Sequence, residues 1–339
     1  GYKGTPSAVA ELVDNAIEAE ASVIDLRVDL QPDPSLHRIR VAVIDNGKGM
    51  NAKTLRQALR FGGTERFNQR TGLGRFGMGL PNASLSQAQR VEVYTWTKKG
   101  GVIASYLDVD EVASGDLQEI PTPKRASLPE WIGTLNSPSG TVVVWERCDR
   151  LDNRRPSTIR RKLAAHLGRT FRHLIWGGVK IVIDGDEVQP IDPLFLHKHS
   201  ITTGASEFQS WEIPVRVDPD QQRSGIGTVQ VTFSELPVHR WHGLSKKEKR
   251  QKGITGGAGV SVVRAGREVD YGWFFLGSKT RQNYDEWWRA EVRFDPVLDE
   301  AFGIEHTKQH IRPASHLIAG LQPHMELVAR TLNARVRKV

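Results

Sequence analysis

The chain is poor in cysteine: its 339 residues contain one, Cys148. That excludes a disulfide framework inside the chain and fits a reducing setting, the cytoplasm, or the nucleus if the cell has one. Long apolar runs are missing as well. None approaches the ~20 residues that span a bilayer as a helix, and no charged-then-apolar leader pattern stands at the start, so a membrane partner is not expected. No G-x-x-x-x-G-K-[ST] loop occurs, which excludes that kind of phosphate cradle, and no internal repeat is found. Gly1 is followed almost at once by a helical pattern carrying functional-looking residues, so the sequence reads as a piece of a longer chain.

What is present is enough for two cores. The length suggests two domains of ordinary size, and 38% hydrophobic residues with nine tryptophans can fill both. The balance is basic, 47 Lys and Arg against 39 Asp and Glu, with a pI near 9.6. Such an excess favours polyanions without choosing among nucleotides, nucleic acid and acidic proteins.

Periodicity divides the chain near residues 149–156 (DRLDNRRP). Before it, residues 8–20 carry apolar positions at helical spacing (Val9, Leu12, Val13, Ala16, Ile17). Strands are expected at 23–30, 38–44, 90–97, 104–109 and 141–146, and a helix at 51–61 with Asn51 as its cap. Residues 62–79 lack periodicity and hold six glycines, the mark of a functional lid or a disordered loop. Beyond the break, Ile159, Leu163, Leu167, Phe171 and Leu174 outline one amphipathic helix. Strands follow at 179–183, 211–217, 227–236, 259–269 and 288–294, and a last helix at 314–335. The run KKEKRQK at 246–252 reads first as a solvated loop and second as a phosphate-contacting one.

Four short motifs in the first half carry chemistry. In ELVDNAIEA, Glu11 and Asn15 lie four apart and project from one side of the helix, away from its apolar face. A carboxylate can take a proton from an attacking water, and an amide oxygen can ligate magnesium; a solvated polar helix face is the plain alternative. In VAVIDNGKGM, a strand runs into Asp45 and then a glycine turn at Gly47 and Gly49. Asn-Gly is also a hairpin signal, but a helical pattern follows from Asn51. In GLGRFGMGL, Gly72, Gly74 and Gly77 match G-x-G-x-x-G, yet the preceding TERFNQRT is too polar to be the buried strand that a dinucleotide fold needs. Taken as G-x-x-G-x-G on Gly74, Gly77 and Gly79, the run offers backbone N–H groups to phosphate ahead of a helix. Last, Gly140-Thr141 opens the strand TVVVWE.

E-x-x-x-N, D-x-G-x-G, G-x-x-G-x-G and G-T, in this order over residues 1–150, resemble the motifs of the GHKL ATPase superfamily: gyrase, MutL, the ninety-kilodalton heat-shock chaperones, sensor histidine kinases and the MORC ATPases. The resemblance implies an α+β protein of two domains. Residues 1–150 would be a Bergerat-fold α/β sandwich, a mixed sheet with helices on one face. Residues 151–339 would be a smaller α+β transducer domain, similar to the second domain of gyrase B and MutL and ending in a C-terminal helix. It implies ATP and Mg2+ as ligands, with Glu11 as general base and Asn15 as metal ligand. Asp45 would read the adenine beside Gly47, Gly49, Met50 and Thr141. The segment Gly74, Arg75, Phe76, Gly77, Met78, Gly79 and Leu80 would cradle the phosphates. GIEHTKQ at 303–309 resembles the motif that brings a lysine, here Lys308, to the γ-phosphate. The whole is closest in pattern to MORC-type proteins and their prokaryotic relatives. An ATP-operated gate that closes its lid and dimerises is therefore expected, with nucleic acid as a candidate partner. An ATP-binding clamp with little turnover and a histidine kinase are the alternatives.

Overall fold

The computed structural model describes residues 2, 4–31, 39–60, 79–218, 225–304 and 310–339. By backbone contacts the chain divides into two compact units, residues 1–167 with 174–188 and residues 168–173 with 189–339.

In the first unit, α1 (Thr5–Glu18) begins with Pro6 in its first turn, where a missing N–H costs nothing. Then come β1 (Val23–Leu30), β2 (Ile39–Asp45), α2 (Ala52–Ala58) and α3 (Gly79–Leu85). The Asn51 side chain caps α2 by accepting from the Thr54 N–H at 2.9 Å, as its position predicts. Next are β3 (Arg90–Trp96), β4 (Ile103–Asp108), α4 (Val109–Ser114), β5 (Lys124–Arg125) and β6 (Gly140–Glu146). Then follow α5 (Pro156–Thr170) and α6 (Arg172–Trp176), whose residues 168–173 count with the second unit, and β7 (Lys180–Ile183) and β8 (Asp186–Glu187) of the first. The amphipathic stretch expected as one helix is two, broken at Phe171, whose side chain is fully buried.

Among the described residues eight strands form one mixed sheet in the order β5-β4-β3-β6-β2-β1-β7-β8. All neighbours are antiparallel except β1 and β7, which run parallel from Val23↔Lys180 to Leu26↔Ile183. The sheet thus draws on residues up to 187, past the expected break at 149–156. Period-two alternation sorts its side chains. Ala42, Ile44, Trp96, Val142 and Val144 face a strap around Ile132, and the Trp96 indole N–H donates to the Ser137 carbonyl at 3.0 Å. The alternate positions, including Val41, Val43, Asp45, Thr95 and Thr141, face the side where α1 and α3 pack on each other and on the sheet.

The second unit contains β9 (Ser206–Arg216), β10 (Ile226–Glu235), α7 (Val238–Trp241), α8 (Lys246–Gln251), β11 (Val260–Arg264), β12 (Arg267–Gly272), β13 (Trp288–Phe294), α9 (Asp299–Phe302) and α10 (Ser315–Val336). Its sheet order is β12-β11-β13-β10-β9, with β11 and β13 parallel. α10 lays Leu317, Leu321, Met325, Val328 and Leu332 into the core at helical spacing. Two expectations change here. Residues 259–269 are not one strand but a hairpin, turned by Ala265 and Gly266 at φ +47° and +81°. The run KKEKRQK is not a loop but α8, started by a capping box between Ser245 and Glu248. Among the described residues no helix is long and apolar enough to cross a membrane.

Candidate functional site

The site is built on one rung of the first sheet. β2 ends at Asp45, which pairs with Thr141 at the start of β6, and Thr141 pairs in turn with Thr95 near the end of β3. Three polar side chains from three strands therefore lie in line on the helix-bearing face. Asp45 is 8% exposed and accepts from the Gly47 N–H at 2.8 Å. Burial pushes its carboxyl up from 3.8 to about 7, although backbone N–H groups of Gly47 and Thr141 pull the other way. A carboxylate that is both buried and hydrogen-bonded at a strand end can accept strongly from a ligand donor.

The glycines are there for close approach. Gly49 holds φ +67°, and a Cβ on it would run into the Trp96 carbonyl and come within 3.2 Å of the Gly140 oxygen. At Gly47 a Cβ would sit 2.7 Å from the Ala19 oxygen and 2.9 Å from the Asp45 carboxylate. The Lys48 N–H donates to that same Ala19 oxygen at 2.9 Å, tying the turn to the end of α1. No hairpin forms at Asn46-Gly47. The Asn46 side-chain oxygen instead accepts from the Ser22 and Val23 N–H groups, and α2 follows.

α1 brings Glu11 and Asn15 to the same unit. The helix is buried on almost every side: Glu11 is 5% exposed and Asp14 fully buried, so the reading of a solvated polar face does not hold for Glu11. Asn15, one turn on, stays partly exposed. Against Glu11 sits Gly79, the first residue of α3. A Cβ on Gly79 would strike the Glu11 carboxylate, 2.9 Å from its Cδ. Leu80 follows, largely buried. The structure thus sets Glu11 against Gly79, with Leu80 next along α3, and Asp45 beside Gly47 and Thr141, while Gly49 comes close to Trp96 and Gly140. Gly74, Arg75, Phe76, Gly77, Met78 and Lys308 lie outside the described residues.

Sequence reasoning missed Thr95. Its side chain is fully buried, and its hydroxyl accepts from the Met50 N–H at 2.9 Å and donates to the Gly140 carbonyl at 2.9 Å. The Thr141 hydroxyl lies 3.2 Å away. A threonine in the strand RVEVYTW carries no local signal of this role; only the register of β3 against β6 reveals it.

The sequence profile of the family described as histidine kinase-, DNA gyrase B-, and HSP90-like ATPase matches residues 2–141. Over 132 residues the chain is 27% identical to ATPase MORC2B of Mus musculus; the match covers 39% of this chain and 12% of that protein's length. A crystal structure of the N-terminal domain of a DNA repair protein superposes with a TM-score of 0.53 at 14% identity. That superposition covers 96% of this chain and 93% of the other, so the likeness in fold extends over both units.

Proposed function

We propose that this protein, whose residues 2–141 match the histidine kinase-, DNA gyrase B- and HSP90-like ATPase family, binds ATP with magnesium and hydrolyses it. Water attacks the γ-phosphorus, the bond to the ADP oxygen breaks, and Glu11 takes the proton from the water. Asp45 accepts from the 6-amino group of the adenine, beside Gly49, Met50 and Thr141. Backbone N–H groups around Gly74, Gly77 and Gly79 hold the phosphates, and Lys308 meets the γ-phosphate. The observation that carries this reading is the seat of Gly79 on the Glu11 carboxylate. Gly79 ends the run proposed to bind phosphate, and a side chain there would have no room beside the Glu11 carboxylate.

Magnesium fits the donor set. Asn15 offers a hard amide oxygen, and among the described residues no three His, Cys, Asp or Glu side chains group to hold a metal by themselves. The remaining ligands would then be phosphate and water oxygens. When bound, the ion neutralises charge on the triphosphate. Glu11→Ala tests the reaction: ATP affinity is expected to persist while turnover slows roughly 10²–10⁴-fold, as for loss of a general base. Turnover equal to the wild type would remove Glu11 from that role, and transfer of label from ATP to protein would favour a kinase.

The likeness to MORC-type proteins supports an ATP-operated gate, whose lid orders on ATP, supports dimerisation and is released by hydrolysis. A polyanionic partner, nucleic acid, is part of this reading. It is supported by α8, where Lys246, Lys247 and Arg250 stand exposed and Glu248 is occupied in the capping box. A reducing setting, cytoplasmic or nuclear, accompanies it. Turnover measured with and without long DNA separates the gate from a clamp that binds ATP and scarcely hydrolyses it.

A further inference from the structure

The buried threonine behind the base pocket does more than hold strands together. Thr95 is fully buried, whereas Thr141 and Asp45 keep 7% and 8% of their surfaces exposed. Thr95 therefore touches the pocket only through its neighbours. Its hydroxyl has one proton and two lone pairs. The Gly140 carbonyl, at 2.9 Å, can only accept, so it takes the proton. The Met50 N–H, also at 2.9 Å, can only donate, so it fills one lone pair. One lone pair is left, and the group beside it is the Thr141 hydroxyl at 3.2 Å. Full pairing of this buried cluster requires Thr141 to donate its proton inward, to Thr95.

That assignment fixes what the pocket can offer. With its proton turned inward, Thr141 presents only lone pairs outward, next to an Asp45 carboxylate that also accepts. Both groups then match a donor on the ligand and repel another acceptor. A 6-aminopurine carries the donor; a 6-oxopurine carries an acceptor at the same place. We infer that Thr95 is a positioning residue that locks the Thr141 hydroxyl as an acceptor and thereby selects 6-aminopurine over 6-oxopurine nucleotides. The inference rests on the ATP reading and names which residue outside the pocket enforces its base choice.

The test compares ADP with inosine diphosphate by calorimetry on the whole chain, which isolates the base from the γ-phosphate. Wild type is expected to prefer ADP, and Thr95→Ser to keep that preference because the hydroxyl remains. Thr95→Val frees the Thr141 proton to rotate outward and donate to a 6-oxo group. The ratio of ADP to inosine diphosphate affinity should then fall by about fivefold to tenfold, the worth of one net hydrogen bond. A merely structural threonine would weaken both nucleotides alike and leave the ratio unchanged, which would overturn the inference. In a Thr141→Val background, Thr95→Val should alter the ratio no further; an undiminished effect there would show that it does not act through Thr141. If Thr95→Val fails to fold, Thr141→Val alone carries the test, since it removes the proposed acceptor and leaves the other bonds of Thr95 in place. An unchanged ratio in that variant refutes the idea. A wild type that binds neither nucleotide overturns the ATP reading itself, and this inference with it.

Discussion

Replacing Asp45 with asparagine should make the nucleotide-free protein more stable at neutral pH. The reason is the cost of a buried charge. Burial raises the Asp45 carboxyl from 3.8 to about 7, so between those values the folded chain keeps a proton that the unfolded chain has released. Stability from this group is complete below 3.8 and is lost as pH rises through 7. One such group costs about 1.4 kcal/mol per pH unit within the window, hence about 2 kcal/mol between pH 5.5 and 7. Glu146, raised to about 7 chiefly by burial, adds a loss of the same sign. Wild type should therefore weaken steeply over that interval, and Asp45→Asn should weaken by the Glu146 share alone. In the proposed site nucleotide affinity should run the opposite way, because the ionised carboxylate is the form that would accept from the 6-amino group. ATP affinity of wild type should rise about tenfold from pH 6 to 8, as a group of pKa about 7 goes from a tenth to nine-tenths ionised. In Asp45→Asn that rise should vanish. Urea unfolding without nucleotide, at pH 5.5 and 7, and calorimetry with ATP, at pH 6 and 8, read both trends. An asparagine variant that loses as much stability as wild type between pH 5.5 and 7 would refute the reasoning.

Further outcomes follow from the same structure. Gly79→Ala should lower turnover by about tenfold with little loss of stability, because the new methyl must push the Glu11 carboxylate aside; steady-state hydrolysis and thermal melting check it, and unchanged turnover would mean that Glu11 is not held there for chemistry. Replacing Lys246, Lys247, Lys249, Arg250 and Lys252 by glutamate should abolish binding to long DNA, and wild-type binding should fall steeply with salt as counterions compete. Retention of binding by that variant would move the nucleic-acid surface away from α8. Lys308→Ala should reduce turnover while leaving ADP affinity nearly unchanged, since its proposed contact exists only with the γ-phosphate; a variant that hydrolyses ATP at the wild-type rate would make Lys308 an ordinary surface charge.

Much of the frame was legible from local pattern. Alternation in VIDLRVDL placed β1 with both ends correct, and the last helix, expected at 314–335, is α10 at Ser315–Val336. The cap at Asn51 was legible because it depends on four consecutive residues, Asn51 to Thr54. Misreadings came where the deciding partner is distant or the signal unusual. The turn at Ala265-Gly266 lacks the Asn-Gly signature, so one strand was expected where a hairpin stands. β7 belongs to the first sheet because β1 offers it a free edge, and no feature of residues 180–183 announces which edge that is.

The same division runs through the site. The order of the motifs and the proposed roles of Glu11, Asn15 and Asp45 rest on the sequence alone, because residue type and spacing along one helix or strand are local properties. Three things needed the tertiary structure. Glu11 is buried rather than solvated because a second helix, α3, begins on top of it, with Gly79 leaving only enough space for the carboxylate. Asp45 titrates near 7 because the sheet and its turn strip it of water. Thr95 meets Met50, Gly140 and Thr141 because the register of β3 against β6 puts it there. Burial, titration and hydrogen-bond direction are set by groups far apart in the chain, and only packing brings those groups within bonding distance.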